Sequence, residues 1–182
     1  MSTISLIQRL RNKIKIKKNN TVIIGKDTGL SGCTIIVKGI GNRLIIGNYS
    51  RLRNMTIEIV GKNCTIEIGK NCVIGHGCYL SAKEENIQLT IGDDCMFSRN
   101  VNILTSDGHP VYQDTQRINP AQNIKIGNHV WLADDVTILK GVAIGNGSIV
   151  GIHSLVTKTI PDNSIAVGIP AKEIKSKINW EI

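Results

Sequence analysis

The chain has 182 residues, enough for one domain with a sizeable core. Its residues are 41% hydrophobic but only 3% aromatic, so the core must be built from Ile, Val, Leu and small side chains, and an aromatic platform for single-stranded nucleic acid is excluded. The net charge of +8 is bunched at one end, where Arg9, Arg11, Lys13, Lys15, Lys17 and Lys18 precede the first repeat, and this argues against a chain-wide nucleic-acid surface.

The opening segment, "MSTISLIQRLRNKIKIKK", reads as a short helix with Ile4, Ile7, Leu10 and Ile14 on one face. Residues 1–19 are therefore expected to form a basic cap, and the same basic side suits a weak contact with a membrane surface. Gln8 and Arg9 break the early apolar stretch, so no signal peptide is expected, and no run of 18 apolar residues is present to span a bilayer. A cytoplasmic protein is the expectation. The five cysteines are Cys33, Cys64, Cys72, Cys78 and Cys95; an odd number without a C-x-x-C pair suggests buried packing thiols rather than disulfides or a zinc knuckle.

From residue 20 the chain is repetitive. Ile24-Gly25, Ile46-Gly47, Ile68-Gly69 and Ile91-Gly92 stand 22, 22 and 23 residues apart. Inside these units a six-residue step appears: Ile24, Leu30, Ile36; then Ile68, Ile74, Leu80; then Ile91, Phe97, Ile103. Segments such as "VGKNCTIEIG" read as small insertions at a corner. From Ile126 the step runs without a slip through Leu132, Ile138, Ile144, Val150 and Val156, with the small or β-branched Val130, Val136, Val142, Ser148 and Ser154 four places after the first five. Period six is neither helical nor simply alternating. It suits an all-β parallel β-helix, made of short strands and sharp corners, over residues 20–160. Cys72, Cys78 and Cys95 occupy the small position.

The rhythm stops once. Residues 104–123, "LTSDGHPVYQDTQRINPAQN", leave the coil as a long polar loop, the kind of insertion by which a rigid solenoid binds. His109 in "DGHPV" is the candidate general base, since imidazole titrates near neutrality. Asp107 is placed to orient it or to touch an acceptor, with His76 a weaker candidate from a neighbouring coil. Gly108 reads as a point of close backbone approach. Residues 161–182 are expected to form the other cap.

Residues 126–174, "IGNHVWLADDVTILKGVAIGNGSIVGIHSLVTKTIPDNSIAVGIPAKEI", together with "GHPV" at the break, resemble the hexapeptide-repeat acyltransferases, especially the galactoside, maltose and polysaccharide O-acetyltransferases. The resemblance implies a left-handed coil, a homotrimer with sites between subunits, and acetyl-CoA as cosubstrate with no metal. It makes His109 the catalytic base and puts Trp131 beside the acetyl group. It also places a backbone amide donor near Ala133 or Asp134, and Gly151 and Ile152 along the pantetheine channel. Thr157, Lys158, Lys172 and Lys175 match residues near the nucleotide and phosphates, where lysine suits a phosphate. The acceptor-orienting asparagine of the galactoside enzymes aligns near Cys78, leaving that role unassigned. No nucleophile-elbow motif is present, so direct transfer is expected over a covalent acyl-enzyme.

The implied function is O-acetylation of a sugar or glycan hydroxyl, in a surface polysaccharide, lipopolysaccharide or precursor. A nucleotide-sugar N-acetyltransferase is the alternative within the chemistry, and a non-catalytic scaffold the alternative outside it. A β-helical carbonic anhydrase would need three converging histidines, and His76, His109, His129 and His153 lack the close pair. Serine acetyltransferase is the less favoured expectation, because the large helical amino-terminal region usual there is not read in this sequence.

Overall fold

A computed structural model describes residues 6–181. The chain winds into a parallel β-solenoid with three faces, which hold seven, six and eight strands. The first face begins with Lys13–Ile16 and ends with Leu155–Val156, the second runs from Thr21–Ile24 to Ala143–Ile144, and the third from Gly29–Ser31 to Ile165–Gly168. Each strand pairs in parallel with its counterpart one coil on, as in the Leu80–Ile103–Ile138–Val156 column. One antiparallel strand, Ala171–Lys175, folds back on Ile165–Gly168 and closes the carboxyl-terminal edge.

The six-step explains the core. Ile126, Leu132, Ile138, Ile144, Val150 and Val156 are all at most 2% exposed, and each stacks on its equivalent in the next coil. All five cysteines are buried and free, with each sulfur donating to backbone carbonyls of its own or the next coil. Burial pushes the Cys78 thiol up to about 11, which fits a packing residue rather than a nucleophile.

The early coils depart from the expected phase. Ile35 and Val37 fill the interior and Ile36 faces outward, because Leu30 is followed by a corner one residue shorter than the one after Ile74. The units read as corner insertions are strand extensions instead. Thr34–Ile40, Thr56–Lys62 and Tyr79–Glu85 each have seven residues and pair in register to their ends, so the first face carries a ledge beyond the corner. Glycine makes that ledge possible: a Cβ on Gly61 would lie 1.9 Å from the Glu84 carbonyl oxygen.

The solenoid takes strands from both segments read as terminal caps. The alternating Lys13–Ile16 pairs with Thr34–Val37, and Ile165 and Ala166 continue the register of Ile149 and Val150. The helix is short, Leu6–Arg11, and the expected apolar stripe does not face the core. Ile7 is 63% and Leu10 79% exposed, Ile14 belongs to a strand, and Ile4 lies outside the described residues. The helix is tied down through Asn12, whose side chain donates to Gln8 O and Leu30 O and accepts from Cys33 N–H. Among the described residues no helix is long and apolar enough to cross a membrane.

Candidate active site

The ledge positions the broken coil. Its last strand, Tyr79–Glu85, carries Glu84 next to its end, a non-glycine residue at φ 82°, and the next coil replaces the ledge with the loop that follows Asn102–Leu104. The loop's stem is closed by Gln122 N–H donating to Thr105 O at 3.0 Å, while the buried Thr105 hydroxyl accepts from Lys83 N–H. The Glu84 carboxylate then gathers three donors from the loop: Arg117 Nη2 at 2.6 Å, Ser106 Oγ at 2.8 Å and Ala121 N–H at 3.3 Å. The Arg117 guanidinium holds the Glu84 carboxyl below its usual range. A two-strand hairpin, Tyr112–Gln113 against Gln116–Arg117, forms the outer part of the loop.

His109 stands exposed on the inner turn, between the stem and this hairpin. Its backbone is fixed by Asn119, which is 9% exposed. Asn119 Nδ2 donates to His109 O and to Asp107 Oδ2, each at 2.9 Å, and Asn119 Oδ1 accepts from Val111 N–H at 2.6 Å. Lys140, at the corner one coil below, donates to the same Asp107 oxygen and to Asn119 O. That ammonium keeps the Asp107 carboxyl below its usual range. Asp107 is thus engaged with Lys140 and Asn119, and among the described residues no hydrogen bond reaches the His109 ring. Gly108 is required for its φ of 89° and not for close approach, since a Cβ there would meet nothing within 4 Å. His76 lies elsewhere, at a corner between the third and first faces, against Asn54.

Trp131 opens a strand of the third face, half-buried, with Nε1 donating to Ser98 Oγ at 3.3 Å. The tail returns to cover it: Trp180 stacks on His129 with centroids 4.0 Å apart, and lies 6.0 Å from Trp131. Trp131 therefore stands beside the corner joining the second and third faces, whereas His109 hangs from the corner joining the first and second. One chain does not bring them together.

The residues expected to hold the cosubstrate divide between two corners and an edge. Ala133 and Asp134 stack on Gly151 and Ile152 at the corner from the third face to the first. Thr157 and Lys158 are exposed on the far side of the first face, and Lys172 and Lys175 are exposed on the closing antiparallel strand. A groove lined by Asp135, Thr137, His153, Ser154, Leu155 and Ile169 follows the first face beside the first of these corners. Ile152 at the turn and the exposed Thr157 and Lys158 lie at opposite ends of the short strand Leu155–Val156, an arrangement suited to a long thioester carrier with an anionic end. The exposed Ile152 and Ile169 offer it apolar contact, and Lys158 a cation.

The amide donor can be narrowed. Ala133 N–H is used within the coil, bonded to Val150 O at 2.9 Å. At the corner above, Arg99 N–H is taken by Asp134 Oδ1 of the next coil. Beneath Asp134 comes Ile152, which has no side-chain acceptor, and among the described residues nothing accepts from Asp134 N–H. The Asp134 side chain is itself held by Arg99 through Nε at 3.1 Å and Nη2 at 2.6 Å.

No motif or period in the sequence singles out Glu84, Arg117, Asn119 or Lys140. Coil register offers a signal for Lys140: Leu104 pairs with Leu139, which sets Lys140 below Thr105 at the root of the loop. No cluster of three or more His, Cys, Asp or Glu side chains suited to a metal ion occurs among the described residues.

No family model matches the chain. It is 36% identical over 124 residues to the polysialic acid O-acetyltransferase of Escherichia coli O1:K1 / APEC, a match spanning 67% of this chain and 40% of that protein. It is 39% identical over 140 residues to the galactoside O-acetyltransferase of Lactococcus lactis subsp. lactis (strain IL1403), spanning 70% of this chain and 66% of that one. The chain thus spans less than two thirds of the length of each of these relatives. Among solved structures, the polySia-specific acetyltransferase NeuO superposes with a TM-score of 0.76 and 30% identity, covering 93% of this chain and 83% of that one. With these likenesses, the chain belongs to the hexapeptide-repeat left-handed β-helix acetyltransferases.

Proposed function

We propose that this protein transfers the acetyl group of acetyl-CoA to a hydroxyl of a sugar or glycan, in a surface polysaccharide, lipopolysaccharide or precursor, with His109 as general base. The observation that carries the reading is the loop itself. Its polar side chains are spent on fixing the backbone around His109, while the imidazole is exposed and makes no hydrogen bond among the described residues. Acetyl-CoA supplies an activated thioester carbonyl. As the acceptor oxygen forms its bond to that carbonyl, a His109 ring nitrogen receives the hydroxyl proton. The same nitrogen then delivers it to the departing sulfur, so the histidine ends as it began. Asp134 N–H is the amide left to stabilise negative charge on the carbonyl oxygen. In this reading Asp107 acts through the loop, fixing the backbone that presents His109.

The separation of His109 from Trp131 and from the Asp134 corner supports a homotrimer, in which the loop of one subunit meets the groove of the next. Val111, Tyr112 and Ile118 expose apolar surface on the loop, 49%, 60% and 54% respectively, as a neighbouring wall would require. Thr157, Lys158, Lys172 and Lys175 would meet the phosphates and nucleotide, and Gly151 and Ile152 the pantetheine arm. The enzyme would act in the cytoplasm, with its basic amino terminus at the inner face of the membrane.

The test is His109→Asn, which keeps polarity but cannot accept a proton near neutral pH. Turnover should fall by about 10²- to 10⁴-fold with acetyl-CoA affinity unchanged. Near-normal turnover in a folded, assembled variant removes His109 from the mechanism.

A further inference from the structure

The charge of the chain is divided along the solenoid axis. Residues 1–54, which supply the helix and the first two coils, contain 11 Lys and Arg and a single acid, Asp27. Residues 55–182 contain 11 Lys and Arg against 13 Asp and Glu. The whole net charge of +8 therefore comes from one end, and the remainder of the solenoid is slightly acidic.

These cations are also unspent. In the carboxyl-terminal coils Arg99, Arg117 and Lys140 are ion-paired, whereas at the amino-terminal end only Lys26 has a partner, Asp27, at 3.9 Å and well exposed. Among the described residues the other ten form no ion pair. They surround the end and do not line one side of it. Lys13 and Lys15 lie on the first face, Arg43 on the second, and Arg51 and Arg53 on the third, where they share a groove with Arg11 and Asp27. Coils repeat at roughly 4.8 Å, so the ring of charge lies within about 10 Å of the end, close to one Debye length at physiological salt.

The same end carries a helix on which Ile7 and Leu10 face outward. Ile7 and Leu10 are exposed next to Arg9 and Arg11. An extended polyanion would be served by a stripe of charge along a face. A ring of cations around an end with exposed aliphatic side chains fits a plane that is anionic at its surface and apolar beneath.

We infer that the amino-terminal end of the solenoid docks end-on against an anionic lipid surface. This deepens the membrane contact of the proposed function and does not depend on the acetyl-transfer chemistry. Docking there leaves the loop and groove, which lie on the sides of later coils, clear of the docked end and free to take an acceptor displayed above the lipid.

Co-sedimentation with vesicles tests this. The full chain should bind phosphatidylcholine vesicles containing phosphatidylglycerol at about 0.1 M salt, release at about 0.5 M, and ignore pure phosphatidylcholine. Replacing Arg51→Glu and Arg53→Glu together should weaken binding by at least about 25-fold, at about fivefold for each cation near the surface. Both side chains point outward, so the fold should survive, and acetyl transfer to a soluble acceptor should be unchanged. Ile7→Ser with Leu10→Ser should weaken vesicle binding at constant charge. Failure of the wild-type chain to bind anionic vesicles overturns the inference, as does tight binding of a soluble acidic polysaccharide that the serine pair leaves untouched. Loss of transfer in the arginine variants would instead count against the separate placement of site and docking end.

Discussion

Asn119→Ala is the sharpest probe of how the loop is built. Asn119 touches neither thioester nor acceptor in the proposed site; its amide is spent on Val111 N–H, Asp107 and His109 O at 2.6, 2.9 and 2.9 Å. Intramolecular hydrogen bonds are each worth about 0.5–1.5 kcal/mol net, so three of them in one side chain sum to roughly 1.5–4.5 kcal/mol. At about 3 kcal/mol, local opening of the turn becomes about 10²-fold more frequent. The core columns are untouched, so global melting should barely move. Hydrogen exchange at Val111 N–H should accelerate by a similar factor, and turnover should fall as His109 loses its fixed position, with acetyl-CoA affinity unchanged. Asn119→Asp should recover little, because a carboxylate has no N–H to give to His109 O. Wild-type exchange and turnover in Asn119→Ala would refute the claim that this side chain holds the turn that presents His109.

Other consequences follow from the same geometry. Lys158→Ala should weaken acetyl-CoA binding by about five- to tenfold, as loss of one exposed charge-assisted contact, measured by calorimetry. Glu84 and Asp107 both have carboxyl groups held below their ordinary values of 4.5 and 3.8. Their contribution to loop order is therefore complete above those values and lost as pH falls through the depressed ones, so exchange in the loop should rise in acid before the coils melt. Ile138→Ala, at a fully buried position, should cost about 2–5 kcal/mol in denaturant unfolding.

How far the sequence reveals this molecule depends on whether neighbours in space share a repeat position. Ile126 through Val156 are legible because each inward aliphatic stacks on its own equivalent, so the period alone predicts the contact. Ile36 misleads because "TIIVKGI" offers adjacent aliphatics, and only the corner length decides which one points inward. The extended strands of the three ledge units look like corner insertions in the sequence for a related reason. Extra residues between repeats look the same whether they bulge out or continue the ladder, and only the pairing Gly39–Gly61–Glu84 shows the latter. Handedness has no signature in period at all, and came with the family.

The site was half legible for a physical reason. The candidate histidine announces itself by breaking a rhythm, but the groups that hold it are distributed by coil register. Glu84 lies one coil before the loop and Lys140 one coil after, so partners of residues near 107 sit about a coil away in either direction. Asp107 drew attention by adjacency to His109 in sequence, yet its carboxylate is occupied by Lys140 and Asn119. In a solenoid the next residue along the chain is often a poorer guide to electrostatic partnership than the residue one coil away. The ledge follows from the same logic: three extended strands build a rigid shelf, Glu84 next to its end carries a charge, and a loop too polar to make a core of its own is ordered by resting on that charge.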